Sequence, residues 1–269
     1  MDLQKLREKP HLSASSITAY IDCSLQYKIK RVDHVKSEFV SEALLFGTAI
    51  HKVLADFYQE RMSGNNLVIS DLENLFETYW TEITSESENI KYSPGKDFTA
   101  CLNEGKGLLA AYITGLPDNN YRCIGIEESF SFKVDGVPIP IIGAIDLIEE
   151  DIETGAICVT DFKTANRAYS WEDVVNNFQL TVYNLAMLKN GFTGRDIFLR
   201  FDVLIKNKIP KFEQIYVTRT ETDFIKATNK IRQVYEAMKH EVYIANLGNW
   251  KCKGCEVQTT CEEIMSKEV

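Results

Sequence analysis

From Ser41 to Met62 the chain reads SEALLFGTAIHKVLADFYQERM, with apolar residues at helical spacing. Leu45, Phe46, Ala49, Ile50, Val53, Leu54 and Phe57 fall on one face, which predicts an amphipathic helix ended by Ser63-Gly64-Asn65-Asn66. Residues 13–30 also predict a helix: Ile17, Tyr20, Ile21 and Tyr27 fall near one face, and Ser13 or Ser16 can cap it. Ser70-Asp71-Leu72-Glu73 has the form of a capping box and opens a predicted helix to about Ser85. A further helix is expected over roughly 97–116.

The period then changes. Residues 123–163 alternate with a period near two, the pattern of strands. Asp135-Gly136 between SFKV and VPIPIIGAIDLI signals a two-residue hairpin, and Glu153-Thr154-Gly155 marks the turn before AICVTDFKT. A three-stranded antiparallel meander is the expectation. Ser170-Trp171-Glu172-Asp173 opens a helix to about Lys189, stopped by Asn190-Gly191. Residues 196–206 and 211–219 read as a strand pair turning at Lys206-Asn207-Lys208, and Thr220 caps a helix to about Tyr243. The tail, 248–269, is polar and rich in cysteine. This order predicts a mixed α/β or α+β architecture in one body.

The alternation also places chemistry. Asp161 and Lys163, two apart in CVTDFKTA, share one face of their strand, and Phe162 points to the other. Asp146 interrupts the apolar run GAIDLI on the preceding strand. A hairpin turning around Glu153-Thr154 sets it opposite Asp161 within a residue or so, with Cβ atoms roughly 4.5–5.5 Å apart. Carboxylates that close repel unless something positive lies between them. A hard divalent cation, Mg²⁺ or Mn²⁺, suits such an oxygen-lined site. A lysine beside it can hold or deprotonate an attacking water, or stabilise charge on a phosphate oxygen. The competing reading is an ordinary solvated pair, since surface strands often carry D-x-K.

His51 sits mid-helix with Gly47 one turn before it on the same face, where a missing side chain lets the helix approach the sheet. Its imidazole can add a ligand that favours Mn²⁺; the alternative is a histidine with a purely structural partner. Gln179 and Tyr183, four apart, share a helix face and can hydrogen-bond a phosphate or base, although such pairs also simply pack helices on sheets.

Composition narrows the function. The 269 residues are 45% hydrophobic and 26% charged, enough for one large core or two modest ones. A net charge of −9 excludes nucleic-acid binding by bulk charge, so any such role needs a local basic groove or metal ions. Lys28, Lys30 and Arg31, together with Arg195, Arg200, Lys206 and Lys208, are candidates for that groove or for a solvated face. No apolar run approaches the roughly 18 residues of a membrane span. The start, MDLQKLREKPHLSASS, lacks a signal-peptide core, so the expected location is cytoplasmic, with reduced thiols.

Seven cysteines are present. Cys252, Cys255 and Cys261 form a C-x2-C-x5-C pattern that reads as a ligand set. Zinc or an iron–sulfur cluster needs a fourth ligand, and Cys23 in YIDCSLQYKIKRV is the best candidate. Cys101, Cys123 and Cys158 lie in apolar contexts and read as core.

Taken in order, LSASSITAYIDCSLQYK, FGTAIHKVL, IIGAIDLI, VTDFKTA, FQLTVYNLAM and CKGCEVQTTC resemble the RecB-type branch of the PD-(D/E)xK nuclease superfamily. The resemblance is to its iron–sulfur members, the AddB-type nuclease domains and the CRISPR-associated Cas-four exonucleases. It implies a restriction-endonuclease-like core: a mixed central sheet flanked by helices within a single domain, 1–269. A helical insertion at 67–118 and an iron–sulfur tail at 248–269, closing onto 13–30, complete it. By the same resemblance His51, Asp146, Asp161 and the backbone carbonyl of Phe162 hold Mg²⁺ or Mn²⁺. Asp146, Asp161 and Lys163 are catalytic, and Gln179 and Tyr183 bind substrate. Cys23, Cys252, Cys255 and Cys261 hold a [4Fe–4S] cluster, with Zn²⁺ the lesser alternative. The implied activity is a metal-dependent deoxyribonuclease, an exonuclease on single-stranded or frayed DNA ends.

Ser24 stands where the family often has proline, and Asp161 where glutamate is commoner. No Walker A motif (G-x4-G-K-[ST]) occurs, so unwinding falls to a partner: a helicase, or a recombination or CRISPR-adaptation complex. The alternative from another class is a non-catalytic DNA-end-binding subunit of such a complex. An iron–sulfur redox protein finds no support from a G-x-G-x-x-G signature.

Overall fold

The computed structural model describes residues 2–248 and 250–267. Its first half is helical: α1 (Leu3–Arg7), α2 (Ala14–Asp22), α3 (Ser24–Tyr27), α4 (Glu42–Met62), α5 (Ile69–Ser85) and α6 (Phe98–Gly115). A π-helical turn, Lys28–Val32, extends α3. Two short parallel strands, β1 (Val40–Ser41) and β2 (Ile90–Lys91), clip the start of α4 to the segment after α5. The alternating segment forms β3 (Tyr121–Val134), β4 (Val137–Asp151) and β5 (Ile157–Ala165). Then come α7 (Trp171–Val175), α8 (Phe178–Lys189), β6 (Ile197–Ile205), β7 (Lys211–Val217), α9 (Glu221–Lys239), a 3-10 turn at Trp250–Gly254 and α10 (Gln258–Met265).

The main sheet has five strands in the order β3-β4-β5-β6-β7. All neighbours are antiparallel except β5 and β6, joined through α7 and α8. Each face buries its own core. Ile17 and Tyr20 of α2, Leu180 and Ala186 of α8 and Ile231 of α9 cover Ile145, Val159 and Phe201 on one face. On the other, Phe46, Ile50 and Leu54 of α4, Phe76 and Trp80 of α5, and Leu108 and Leu109 of α6 cover Leu147, Phe162 and Leu204. The segment 67–118 is thus part of a sheet-covering layer. Among the described residues no helix is long and apolar enough to cross a membrane.

Several elements depart from the sequence reading. The helix expected over 13–30 breaks at Cys23, which is extended (φ −162°, ψ 102°) and ends α2. The helix expected to run unbroken to Lys189 splits at Asn176-Asn177. Asn177 caps α8 by accepting from the Leu180 amide at 3.0 Å. The Arg219 guanidinium donates to the carbonyls of Val174 (3.0 Å) and Asn177 (3.1 Å) at the break. Ser70 does not cap α5; Asp71 reaches back to the Val68 amide at 2.9 Å, so the helix starts earlier.

Candidate active site

The ladder between β4 and β5 runs from Glu150↔Ile157 to Leu147↔Thr160 and stops there. Beyond that point the two strands part, although β5 continues to pair with β6 through Ala165. The next residues in register, Asp146 and Asp161, therefore sit at the mouth of a wedge. The backbone of Phe162 is left without a β4 partner and binds side chains instead. Its amide donates to Asp146 Oδ2 at 2.8 Å, and its carbonyl lies 2.9 Å from His51 Nε2. His51 Nδ1 is 3.5 Å from Asp146 Oδ2.

His51 comes from the middle of α4. Burial works against its charged form, but the hydrogen bond and charge of Asp146, with Asp161 behind, outweigh it and raise its pKa. Gly47 plays a different part from the one expected. A Cβ there would meet only Thr164 Oγ1, at 3.9 Å, so close approach does not require glycine. Gly47 instead lines a cavity of about 520 Å³ with Thr48, His51, Lys52, Glu127 and Asp146. Gly143 is the tight position: a Cβ would come within 2.6 Å of the Phe130 ring.

Asp161 is 1% exposed, and among the described residues its Oδ1 has no hydrogen-bond partner. Its one close counter-charge is Lys163, whose ammonium forms an ion pair with Oδ2. Burial pushes the Asp161 pKa up against the pull of Lys163, and Asp146 adds to the rise. Burial also disfavours charged Lys163, but Asp161 outweighs it and holds the lysine pKa above its usual value. Lys163 Nζ also donates to Gln179 Oε1 at 3.1 Å, and Gln179 Nε2 donates to the Tyr183 hydroxyl at 2.7 Å. An unbroken chain of contacts thus joins Asp161, Lys163, Gln179 and Tyr183.

One residue here went unnoticed in the sequence. Glu127, on β3, falls in register opposite Asp146, since Ile126 pairs with Leu147 and Glu128 with Ile145. Its backbone is left-handed (φ 47°), uncommon for a non-glycine residue in a strand. Ligand atoms of His51, Glu127 and Asp146 lie within 4.8 Å of one another. Burial first, and then the charge of Asp146, raise the Glu127 pKa. Two carboxylates and an imidazole make a donor set that fits a hard divalent cation, whereas Asp161, buried and clamped to Lys163, is not among the ligand atoms brought within that distance.

The expected basic groove is mostly not one. Arg200 is 1% exposed and lies between two acids, with Nη2 2.7 Å from Glu149 Oε2 and Nε 2.7 Å from Asp202 Oδ1. It is a buried structural ion cluster and cannot touch a substrate. Arg195 is bound to Glu150 and the Gly155 carbonyl. Lys28 pairs with Asp33 at 2.6 Å, and Lys30 pairs with Glu256. Lys206 packs its ammonium over the Phe46 ring at 4.1 Å, and burial lowers its pKa. Lys208 is exposed.

The cysteine tail lies against the first helices. Leu25 donates to the Ile244 carbonyl at 3.2 Å, and the Glu38 amide donates to the Glu256 carbonyl at 2.8 Å. The Ser24 hydroxyl accepts from the Ile244 amide at 2.7 Å, a role proline could not fill. Val257 is fully buried with Leu25 and Ile29, and Cys23, Cys255 and Cys261 pack on that small core. Burial, then the charge of Glu256 and the thiols of Cys23 and Cys252, raises the pKa of Cys255, and burial, then the thiols of Cys23, Cys255 and Cys252, raises that of Cys261. Cys101 and Cys158 are buried core thiols, whereas Cys123 is half-buried.

Comparison with known proteins bears on the family and the fold. The profile of the PD-(D/E)XK nuclease superfamily matches residues 11–262. The chain is 25% identical to "Gene 69 protein" of Mycobacterium phage D29 over 94% of its own length and 96% of that protein. It resembles in fold the crystal structure of a protein named "Putative exonuclease" from Eubacterium rectale. That match has a TM-score of 0.51 and 14% identity, and covers 90% of this chain and 86% of the other.

Proposed function

The chain belongs to the PD-(D/E)XK nuclease superfamily, and on that premise we propose that it is a Mg²⁺- or Mn²⁺-dependent deoxyribonuclease that trims single-stranded or frayed DNA ends. The observation that carries this reading is the wedge itself. Asp146 and Asp161 hold the first register position past the last rung of the β4–β5 ladder, with Lys163 clamped to Asp161 and the Phe162 amide and carbonyl bound to Asp146 and His51.

In this reading Asp146, Asp161, His51 and the Phe162 carbonyl hold the cation, and Glu127 adds a further carboxylate beside Asp146. When bound, the ion acidifies a water and offsets charge on the phosphoryl oxygens. The raised pKa of Lys163 supports a charged ammonium at neutral pH. Lys163 then serves as a hydrogen-bond donor that orients the attacking water or neutralises a phosphate oxygen. Gln179 fixes the lysine and, with Tyr183, faces the DNA. Water adds at phosphorus and the phosphodiester P–O bond breaks, leaving a phosphate monoester and a free hydroxyl.

The C-x2-C-x5-C spacing of Cys252, Cys255 and Cys261, with Cys23, Cys255 and Cys261 packed on one small core, is the ground for a structural [4Fe–4S] cluster on these four thiols, with zinc as the lesser alternative. Pinned across α2 and α3, it narrows access to strand ends, which favours exonuclease action. Unwinding and pathway belong to partners such as a helicase or a recombination complex. The test is degradation of end-labelled single-stranded DNA in Mn²⁺, halted by EDTA. No degradation in any divalent ion would leave the DNA-end-binding alternative.

A further inference from the structure

Beside the wedge lies a second cavity, of about 610 Å³, within the ~300–1,000 Å³ of small-ligand sites. Glu127 lines both this cavity and the one at His51, so the two are neighbours across that residue. Gln179 and Tyr183 form one wall, and Gln179 is a single hydrogen bond from Lys163. Leu3, Phe130 and Ile142 supply apolar surface.

The cavity lining also carries basic groups. Arg7 at the end of α1 and Arg31 in the π-helical turn both reach it and are exposed. Neither guanidinium has an ion-pair or hydrogen-bond partner among the described residues, whereas Lys28 and Lys30 in the same turn are paired. His11 lies between the two arginines along the chain and also lines the cavity. Two unpaired guanidinium groups in a chain of net charge −9 are anion-binding groups in waiting. An apolar surface and a hydrogen-bonding wall one contact from Lys163 fit a nucleotide.

We propose that this cavity holds the unpaired nucleotide next to the scissile phosphate of a DNA strand, with its phosphate on Arg7 and Arg31 and its base against Leu3, Phe130 and Ile142. The inference rests on the nuclease reading and specifies where that substrate lies. Phosphate contacts by unpaired arginines supply affinity and salt dependence, and the apolar surface accepts any base by contact with its face.

The test uses the full chain carrying Lys163→Ala, with Ca²⁺ present, so that DNA binds without being cut; the wild-type chain in Ca²⁺ provides a second background. Binding of a labelled single-stranded oligonucleotide is followed by fluorescence anisotropy over a range of salt. Arg7→Ala with Arg31→Ala should weaken binding at least tenfold. It should also make the slope of log K against log salt shallower by about 1.4, at about 0.7 per phosphate contact. Arg7→Lys with Arg31→Lys should restore the slope, and a blunt duplex should show no such difference. Unchanged affinity and slope in the alanine pair, an equal loss for the blunt duplex, or no binding of single strands overturns the proposal. Mn²⁺-dependent cleavage with arginine-independent binding removes the pocket but spares the nuclease. Arginine-dependent binding without cleavage in any divalent ion does the reverse.

Discussion

The backbone amide of Phe162 donates to Asp146 Oδ2 at 2.8 Å, tying the two strands together just past the last rung of their ladder. One carboxylate thus closes the strand pair and faces the cation site. Asp146→Asn separates these roles, because the amide oxygen still accepts from Phe162 while the charge is lost. The melting temperature should move by no more than a few degrees. Mn²⁺ affinity by calorimetry should fall at least tenfold, and cleavage with it. Unaltered Mn²⁺ affinity would remove Asp146 from the metal centre.

Glu127 adds negative charge opposite Asp146, whose repulsion outweighs the pull of His51. Glu127→Gln should raise the melting temperature of the metal-free protein by relieving that repulsion. It should also shrink the rise that Mn²⁺ produces, since binding to the folded state stabilises in proportion to affinity. Scanning fluorimetry with EDTA and with Mn²⁺ reads both effects. The same Mn²⁺-induced rise in variant and wild type would make Glu127 a bystander.

Much of this site was legible in the sequence. Period-two alternation put Asp161 and Lys163 on one face, and the Asp135-Gly136 turn placed the first hairpin. Glu127 was hidden by a register shift. Val134 pairs with Val137, yet Phe132 pairs with Ile141, so the ladder slips by two residues. Counting back from the turn without that bulge sets Gly125, not Glu127, opposite Asp146. Arg200 was misread for a related reason. Its partner Asp202 stands two residues on in IFLRFDVLI, on the same strand face, but Glu149 lies on β4, and nothing local signals that the arginine is buried between two acids. The helix breaks at Cys23 and Asn177 depend on distant partners, Ile244 and Arg219, that helical periodicity does not register.

Arg200→Ala should therefore act on stability. It strands the buried carboxylates of Glu149 and Asp202, a change of the kind that costs about 3–5 kcal/mol. Urea denaturation should show that loss, while the folded fraction binds single-stranded DNA as wild type does. Weakened DNA binding at unchanged stability would restore Arg200 to the substrate path.

The cysteine tail makes a separable prediction. Cys255→Ser, in protein purified without oxygen, should lose the brown visible absorbance expected of a [4Fe–4S] centre and lower the melting temperature. A colourless wild type containing stoichiometric zinc would assign the four thiols to that metal. A colourless wild type without metal would leave the tail held only by Val257 and its hydrogen bonds.

The most direct measurement compares wild type and Lys163→Ala, both loaded with Mn²⁺, on one end-labelled single strand, with circular dichroism confirming equal folding. Loss of the ammonium beside Asp161 should slow cleavage by about a thousandfold, the scale of removing one preorganised charge-stabilising donor, while Mn²⁺ binding persists. Equal rates in the two proteins would place the chemistry elsewhere and contradict the assignment of this wedge as the active site.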